Sequence, residues 1–264
     1  VVKIIFGLWG EDKSCKTTLA LTFPKPLIHI EFDIGGFDRA IYRFNSDYQS
    51  GLIKHEKYPM PFQIGTIDPT QLTTRPSKII VGVKELWYKF LINYIQHLDD
   101  PVLATIVIDT GTLLWEICCS GYLQEKQEIQ LDARGSLLPN EKLRVSLLPI
   151  EYREPNIRMR GIIYQAKAHG KHLVLAHHSR DEYGPMPEKG GGIVEAKTGR
   201  KERAGWNPLG DGADVIVHTY WDNKANKPFC KVELAEVKAL EGMVFEEPTF
   251  DKINQTIRMI KGVS

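Results

Sequence analysis

The chain reads as an α/β protein with a mainly parallel central sheet flanked by helices, and three observations lead there. An apolar run at residues 2–6, a tight polar loop and then Leu19-Ala20-Leu21 give the order strand, loop, helix. The apolar runs at 27–32, 102–108 and 171–176 lack the alternation of half-buried strands and read as strands covered on both faces, the habit of parallel sheets. Segments of helical character separate them, the plainest at 83–98, where Leu86, Phe90, Leu91 and Tyr94 recur near helical spacing.

The first loop is Gly10-Glu11-Asp12-Lys13-Ser14-Cys15-Lys16-Thr17-Thr18. It follows the phosphate-binding pattern G-x-x-x-x-G-K-S/T, with Cys15 in place of the second glycine. Backbone N–H groups in such a loop converge into an anion nest, and the helix behind adds its N-terminal partial charge. Lys16 can reach the β- and γ-phosphates of a nucleotide and the Thr17 hydroxyl can ligate Mg²⁺. The alternative is a polar turn in which Thr17 or Thr18 merely caps the helix. Cys15 is read as starting the helix, where a positive φ is not required and a small side chain is tolerable.

The 264 residues, 42% hydrophobic and 25% charged, have ordinary globular composition and suit one domain, 1–264, with long loops at about 45–78, 131–156 and 180–212. A net charge of +1 gives no global field for nucleic acid, so any such site must be a local patch. Cys15, Cys118, Cys119 and Cys230 form neither a disulfide framework nor a zinc spacing, which suits a reducing cytoplasm. No apolar run approaches eighteen residues, so no membrane span is expected. The chain opens directly on a strand, and residues preceding it are expected.

A short helix at 17–22 is closed by Pro24 and Pro26. The strand at 27–33 ends in Asp33 before Gly35-Gly36, placing a carboxylate at the sheet edge where α/β proteins hold their chemistry. Residues 45–76 are turn-rich and read as loop with one edge hairpin. The strand at 102–110 runs into Asp109, the Walker B pattern, in which the acid holds Mg²⁺; a helix-capping Asp109 is the competing reading. A helix at 112–130 follows, then an irregular stretch in which residues 134–160 hold six basic side chains against three acidic. Asn156 is expected to cap a helix ending at His169.

The fourth strand leads to His177-His178, which as neighbours point to opposite faces and make a poor metal pair; one of them can sense a γ-phosphate. Residues 180–206 read as a long loop containing Gly190-Gly191-Gly192, with Lys197, Arg200, Lys201, Arg203 and Trp206 towards its end. Cations for phosphates and a ring for a base suit single-stranded nucleic acid; the competing reading is a solvated loop. Strands at 213–220 and 229–238 form an antiparallel hairpin across a turn at 222–226, and a closing helix occupies 250–260.

In this order of elements the chain resembles the RecA-like P-loop NTPase core, and is most similar to phage-encoded nucleotide-binding proteins of that superfamily, small ATPases that assist single-strand annealing and recombination. The resemblance covers most of the chain and is carried by residues 7–23, 26–38, 105–110, 171–183 and 205–240. It implies an ATPase with ATP and Mg²⁺ as cofactors. Gly10, Lys13, Ser14, Cys15, Lys16, Thr17 and Thr18 would hold the nucleotide, with Thr17 and Asp109 on the metal. Asp33 falls where the family orients its attacking water, usually with the longer Glu. His178 falls where the family couples the γ-phosphate to DNA. Arg158, Arg160, Lys197, Arg200, Lys201, Arg203 and Trp206 fall within its DNA-facing loops. Lys238 falls where recombinases contact ATP on the neighbouring subunit, although Leu240 stands where a second lysine is usual. Implied partners are single-stranded DNA, further copies in a ring or helical assembly, and a single-strand-binding protein, in the cytoplasm of a bacterial host. A nucleotide-gated interaction module with little hydrolysis is the alternative that Cys15 and Asp33 leave open.

Overall fold

The sheet is built outward from strands whose every residue is buried. In the computed structural model, which describes residues 3–61, 64–68, 73–76, 78–131, 136–139, 142–187 and 193–262, β1 (Ile5–Gly10) leads through the loop into α1 (Lys16–Ala20). Next come β2 (Leu27–Glu31), α2 (Gly36–Ala40), α3 (Asn45–Gln49), β3 (Ile53–Lys57) and a separate hairpin of β4 (Ile64–Asp68) and β5 (Thr73–Pro76). The long α4 (Val83–Asp99), β6 (Thr105–Asp109), α5 (Gly111–Ile129) and α6 (Arg153–Ala168) follow. The chain closes with β7 (His172–Pro187), β8 (Ile193–Arg203), β9 (Val215–Asp222), β10 (Lys227–Ala235), β11 (Val244–Glu246) and α7 (Phe250–Lys261).

The sheet order is β11-β10-β9-β1-β7-β6-β2-β3, with β8 paired to β7 alone. From β9 to β3 every pair is parallel, whereas β10 and β11 are antiparallel, so the expected architecture is the observed one. Registers align the strand ends that matter: Gly10 lies opposite His178, and Asp109 lies opposite both Ala176 and Glu31. Helices α4, α5 and α6 cover one face through Trp87, Phe90, Ile117 and Ile163, while α1 and α7 cover the other through Leu19, Ile253 and Ile257. The apolar face of α4 buries Leu86, Trp87, Phe90, Tyr94 and Leu98, each contributing about 1.5–3 kcal/mol.

Several sequence expectations change. The first strand runs on to Gly10 instead of ending at residue 6, and β3 is a parallel strand within the stretch expected as loop. Residues 180–206, also expected as loop, are largely an antiparallel hairpin: β7 continues out of the sheet to Pro187 and β8 returns beside it. Gly190-Gly191-Gly192 lies outside the described residues. Asn156 does not cap α6, which begins at Arg153 and holds Pro155 in its first turn, where a missing N–H costs nothing. Among the described residues no helix is long and apolar enough to cross a membrane.

Candidate nucleotide site and neighbouring hairpin

The phosphate loop is clamped to β9. A Cβ on Gly10 would lie 2.2 Å from the Thr219 carbonyl oxygen, so only glycine fits there. Ser14 Oγ and Thr219 Oγ1 share a hydrogen bond of 2.8 Å, and Thr219 also donates to the Trp9 carbonyl. Lys13 and Cys15 both adopt left-handed backbone, with φ of 62° and 68°. Left-handed residues on either side of Ser14 turn successive N–H groups inward, the geometry of an anion nest. Cys15 therefore does need a positive φ, contrary to the sequence expectation: the position keeps the conformation of a glycine while carrying a side chain. Since α1 has only five residues, the loop itself, more than a helix dipole, forms the cradle.

Lys16 crosses the loop and donates to the carbonyls of Gly10 and Glu11, each at 2.8 Å. Burial lowers its pKa, against the pull of Asp109, Asp12 and Asp33. Thr17 Oγ1 donates to Asp109 Oδ2 at 2.6 Å, and His29 Nε2 lies 3.3 Å from the same oxygen. Burial opposes ionisation of Asp109, but His29, Thr17 and Lys16 outweigh it and hold the carboxyl below the usual range. Asp109 is not the helix cap: Thr110 is, accepting from the Leu113 N–H. Thr18 lies in α1 and lines the same cleft, of about 510 Å³, as Lys13, Ser14 and Cys15. The cleft's oxygen donors fit Mg²⁺, which takes one or two protein ligands and fills its octahedron with water and phosphate. Among the described residues no cluster of three His, Cys, Asp or Glu side chains could hold a metal by itself.

Asp33 and His178 meet at the mouth of this cleft. His178 Nε2 lies 3.5 Å from Asp33 Oδ2, and its Nδ1 lies 3.8 Å from Asp12 Oδ1 in the phosphate loop. His177 points the other way: it is buried, bonds the Ala204 carbonyl at 3.1 Å and is pushed down to about 3, chiefly by burial. The two histidines thus occupy opposite faces, as strand geometry requires. Thr112 Oγ1 accepts from the His178 N–H and donates to the Ala204 carbonyl, tying the start of α5 to the base of the β7–β8 hairpin.

Sequence reasoning missed Glu31. It is buried beside Asp109 in register, accepts from the Phe37 N–H at 3.1 Å and pairs with His55 at 3.0 Å. Burial raises its pKa, but the His55 and Phe37 bonds prevail and the net shift is downward. A Cβ on Gly36 would stand 3.4 Å from Thr17 Oγ1, 3.6 Å from Asp109 Oδ2 and 3.7 Å from Glu31 Oε1, so this glycine opens onto the oxygen cluster. The signal was an acid embedded in the apolar run Leu27-Ile28-His29-Ile30-Glu31-Phe32. Arg39, Tyr42 and Arg43, also missed, line the cleft opposite the phosphate loop, and Arg43 Nε donates to the Tyr42 hydroxyl at 3.3 Å.

The expected nucleic-acid residues divide. Trp206 is buried, and its Nε1 donates to Asn156 Oδ1 at 2.7 Å, so its ring cannot stack on a base. Arg158 is consumed by a bidentate bond to Glu125 at 2.9 and 3.0 Å and another to Glu154, which fastens α6 to α5. Arg203 is half-buried, burial lowers its pKa, and its guanidinium donates to the Asn207 carbonyl at 2.9 Å. Arg160 stays half-exposed beside Asp211 at 3.6 Å. On the hairpin, Lys197 and Lys201 share Asp181, while Arg200 has no side-chain partner among the described residues. The exposed ring of the hairpin is Tyr183, opposite Lys197. Lys238 follows β10 at the other edge of the sheet, paired with Glu241 at 2.7 Å and remote from its own phosphate loop.

No family model matches the chain, and no curated protein matches it. Among solved structures, the crystal structure of the RadB recombinase is similar over 92% of this chain and 86% of that one, with a TM-score of 0.48 and 12% identity.

Proposed function

We propose that this chain is a RecA-like ATPase that binds Mg²⁺–ATP at the phosphate loop and single-stranded DNA along the β7–β8 hairpin, supporting recombination, annealing or replication in the cytoplasm. One observation carries the nucleotide reading: the cradle of Gly10–Thr18 has Lys16 at its centre and the Thr17–Asp109 pair, 2.6 Å apart, at its rim. When bound, Mg²⁺ would neutralise charge between the phosphates. The remaining work belongs to the chain. Lys16 exchanges its two loop carbonyls for phosphate oxygens. Thr17 and Asp109 would hold the metal through their side-chain oxygens. Asp33, held by His178, orients water at the open side of the cleft.

His178 lies on the strand that continues as the hairpin arm, so a shift at the Asp33–His178 contact is carried along β7 to Tyr183 and through the β7–β8 pairing to Lys197, Arg200 and Lys201. Those three cations suit phosphates and Tyr183 suits a base. A head-to-tail ring or filament would bring Lys238 of one copy towards the cleft of the next, since heterologous contacts either close or propagate. A single-strand-binding protein is the natural companion of such a role.

A second reading, a nucleotide-gated interaction module, is favoured by the left-handed Cys15 and the half-exposed Asp33. Steady-state ATP turnover, measured with and without single-stranded DNA, separates them. The ATPase reading expects turnover that rises with DNA. ATP bound without turnover in either condition would establish the second reading instead.

A further inference from the structure

At the opposite edge of the sheet from the phosphate loop lies a cavity of about 310 Å³. Its wall is apolar: Ile4 precedes β1, Val215 begins β9, Val237 and Leu240 follow β10, and Ile257 comes from α7. Its rim is charged, with Lys3, Arg258 and Lys261 against Asp214 and Glu236. Both acids are already engaged. Asp214 accepts from the Ile5 N–H at 2.6 Å and from Lys167 at 3.0 Å, and Glu236 stands 3.9 Å from Lys261. Among the described residues Lys3 and Arg258 have no ion-pair partner, and both are exposed. Lys3 stands near the Lys171 ammonium, whose pKa burial lowers first and Lys3 lowers further.

We propose that this cavity binds a peptide C-terminus whose last residue is bulky and apolar and whose preceding residues are acidic. Its size is at the small end of ligand sites, about 300 Å³, enough for an end group. The apolar wall suits a hydrophobic side chain. Two uncompensated cations on separate elements, one before β1 and one on α7, call for two carboxylates next to that side chain. A terminal carboxylate and a neighbouring Asp supply them.

The test is fluorescence anisotropy on the full chain with the labelled peptide Gly-Gly-Asp-Asp-Phe carrying a free C-terminus. Saturable binding is expected without nucleotide, weakening as salt rises. Arg258→Glu and Lys3→Glu, both on exposed side chains, are each expected to weaken it about tenfold while leaving the thermal melt unchanged. Amidating the C-terminus, or replacing the two Asp by Lys, should weaken it as well. The proposal is overturned if no saturable binding occurs, if the charge-reversed variants bind as tightly as the parent, or if N-acetylphenylalanine alone binds as well as the peptide.

Discussion

Replacing Cys15 by Gly should stabilise this protein, although it removes a half-buried side chain. Cys15 sits at φ 68° and ψ 23°, where a Cβ crowds the carbonyl oxygen. That conformation costs an ordinary residue about 1–2 kcal/mol, and glycine escapes it. Glycine also loosens the unfolded chain, which returns about 0.5–1 kcal/mol of the gain. The net is about 0–1.5 kcal/mol in favour of Cys15→Gly, at its centre a rise in melting temperature of about 2 °C for a chain of this size. Cys15→Val runs the other way, because a β-branched residue tolerates left-handed backbone least. Thermal melts by circular dichroism on the three proteins, with and without ATP, read both signs. A Cys15→Gly variant that melts below the parent, or a Cys15→Val variant that melts with it, would refute the strain argument. Burial raises the thiol's pKa despite Arg43 and Lys16, so alkylation at neutral pH should be slower than for an exposed cysteine.

Three further outcomes are expected. Asp109→Asn keeps the hydrogen bond from Thr17 but loses the charge, so ATP affinity should lose its dependence on Mg²⁺; isothermal titration with and without the metal would show the dependence intact if Asp109 plays no part. Tyr183→Ala should weaken single-stranded DNA binding by about 1–3 kcal/mol, whereas Trp206→Phe should leave it unchanged and instead lower stability by about 1–3 kcal/mol by orphaning Asn156; DNA binding that follows Trp206 would reverse the assignment. His177, at about 3 when folded against about 6.5 when unfolded, binds fewer protons in the native state, so its contribution is full above pH 6.5 and is lost as pH falls towards 3. That contribution is on the order of 5 kcal/mol, and the slope of stability against pH between 6 and 4, measured by urea melts, should flatten in His177→Asn.

The phosphate loop and Asp109 were legible because each couples a strand of unbroken apolar residues to a chemical group at its end. Glu31 was not, since an acid inside such a run looks like an interruption until its neighbour in register is known to be Asp109. The edge strand Ile53-Lys54-His55-Glu56-Lys57 escaped because only Ile53 is fully buried, leaving no period to read. The hairpin escaped for the same physical reason carried further: both its faces meet solvent, so Arg180 to Arg203 carries no apolar alternation. Trp206 misled in the opposite direction. In a stretch rich in Gly and basic residues it looks exposed, yet it packs into the core with its indole N–H answered by Asn156, fifty positions earlier. Such a partner cannot be seen locally. Pro155 likewise hid the true start of α6, because a proline in the first turn resembles the end of a loop.

The central claim is that Gly10–Thr18 grips the phosphates of a nucleotide through Lys16. Isothermal titration of Mg²⁺–ATP into the parent and into Lys16→Ala tests it most directly. The expected result is saturable one-site binding to the parent, weakened at least about tenfold in the variant, with both proteins melting cooperatively. Equal affinity in the two proteins, or no binding to the parent, would contradict it.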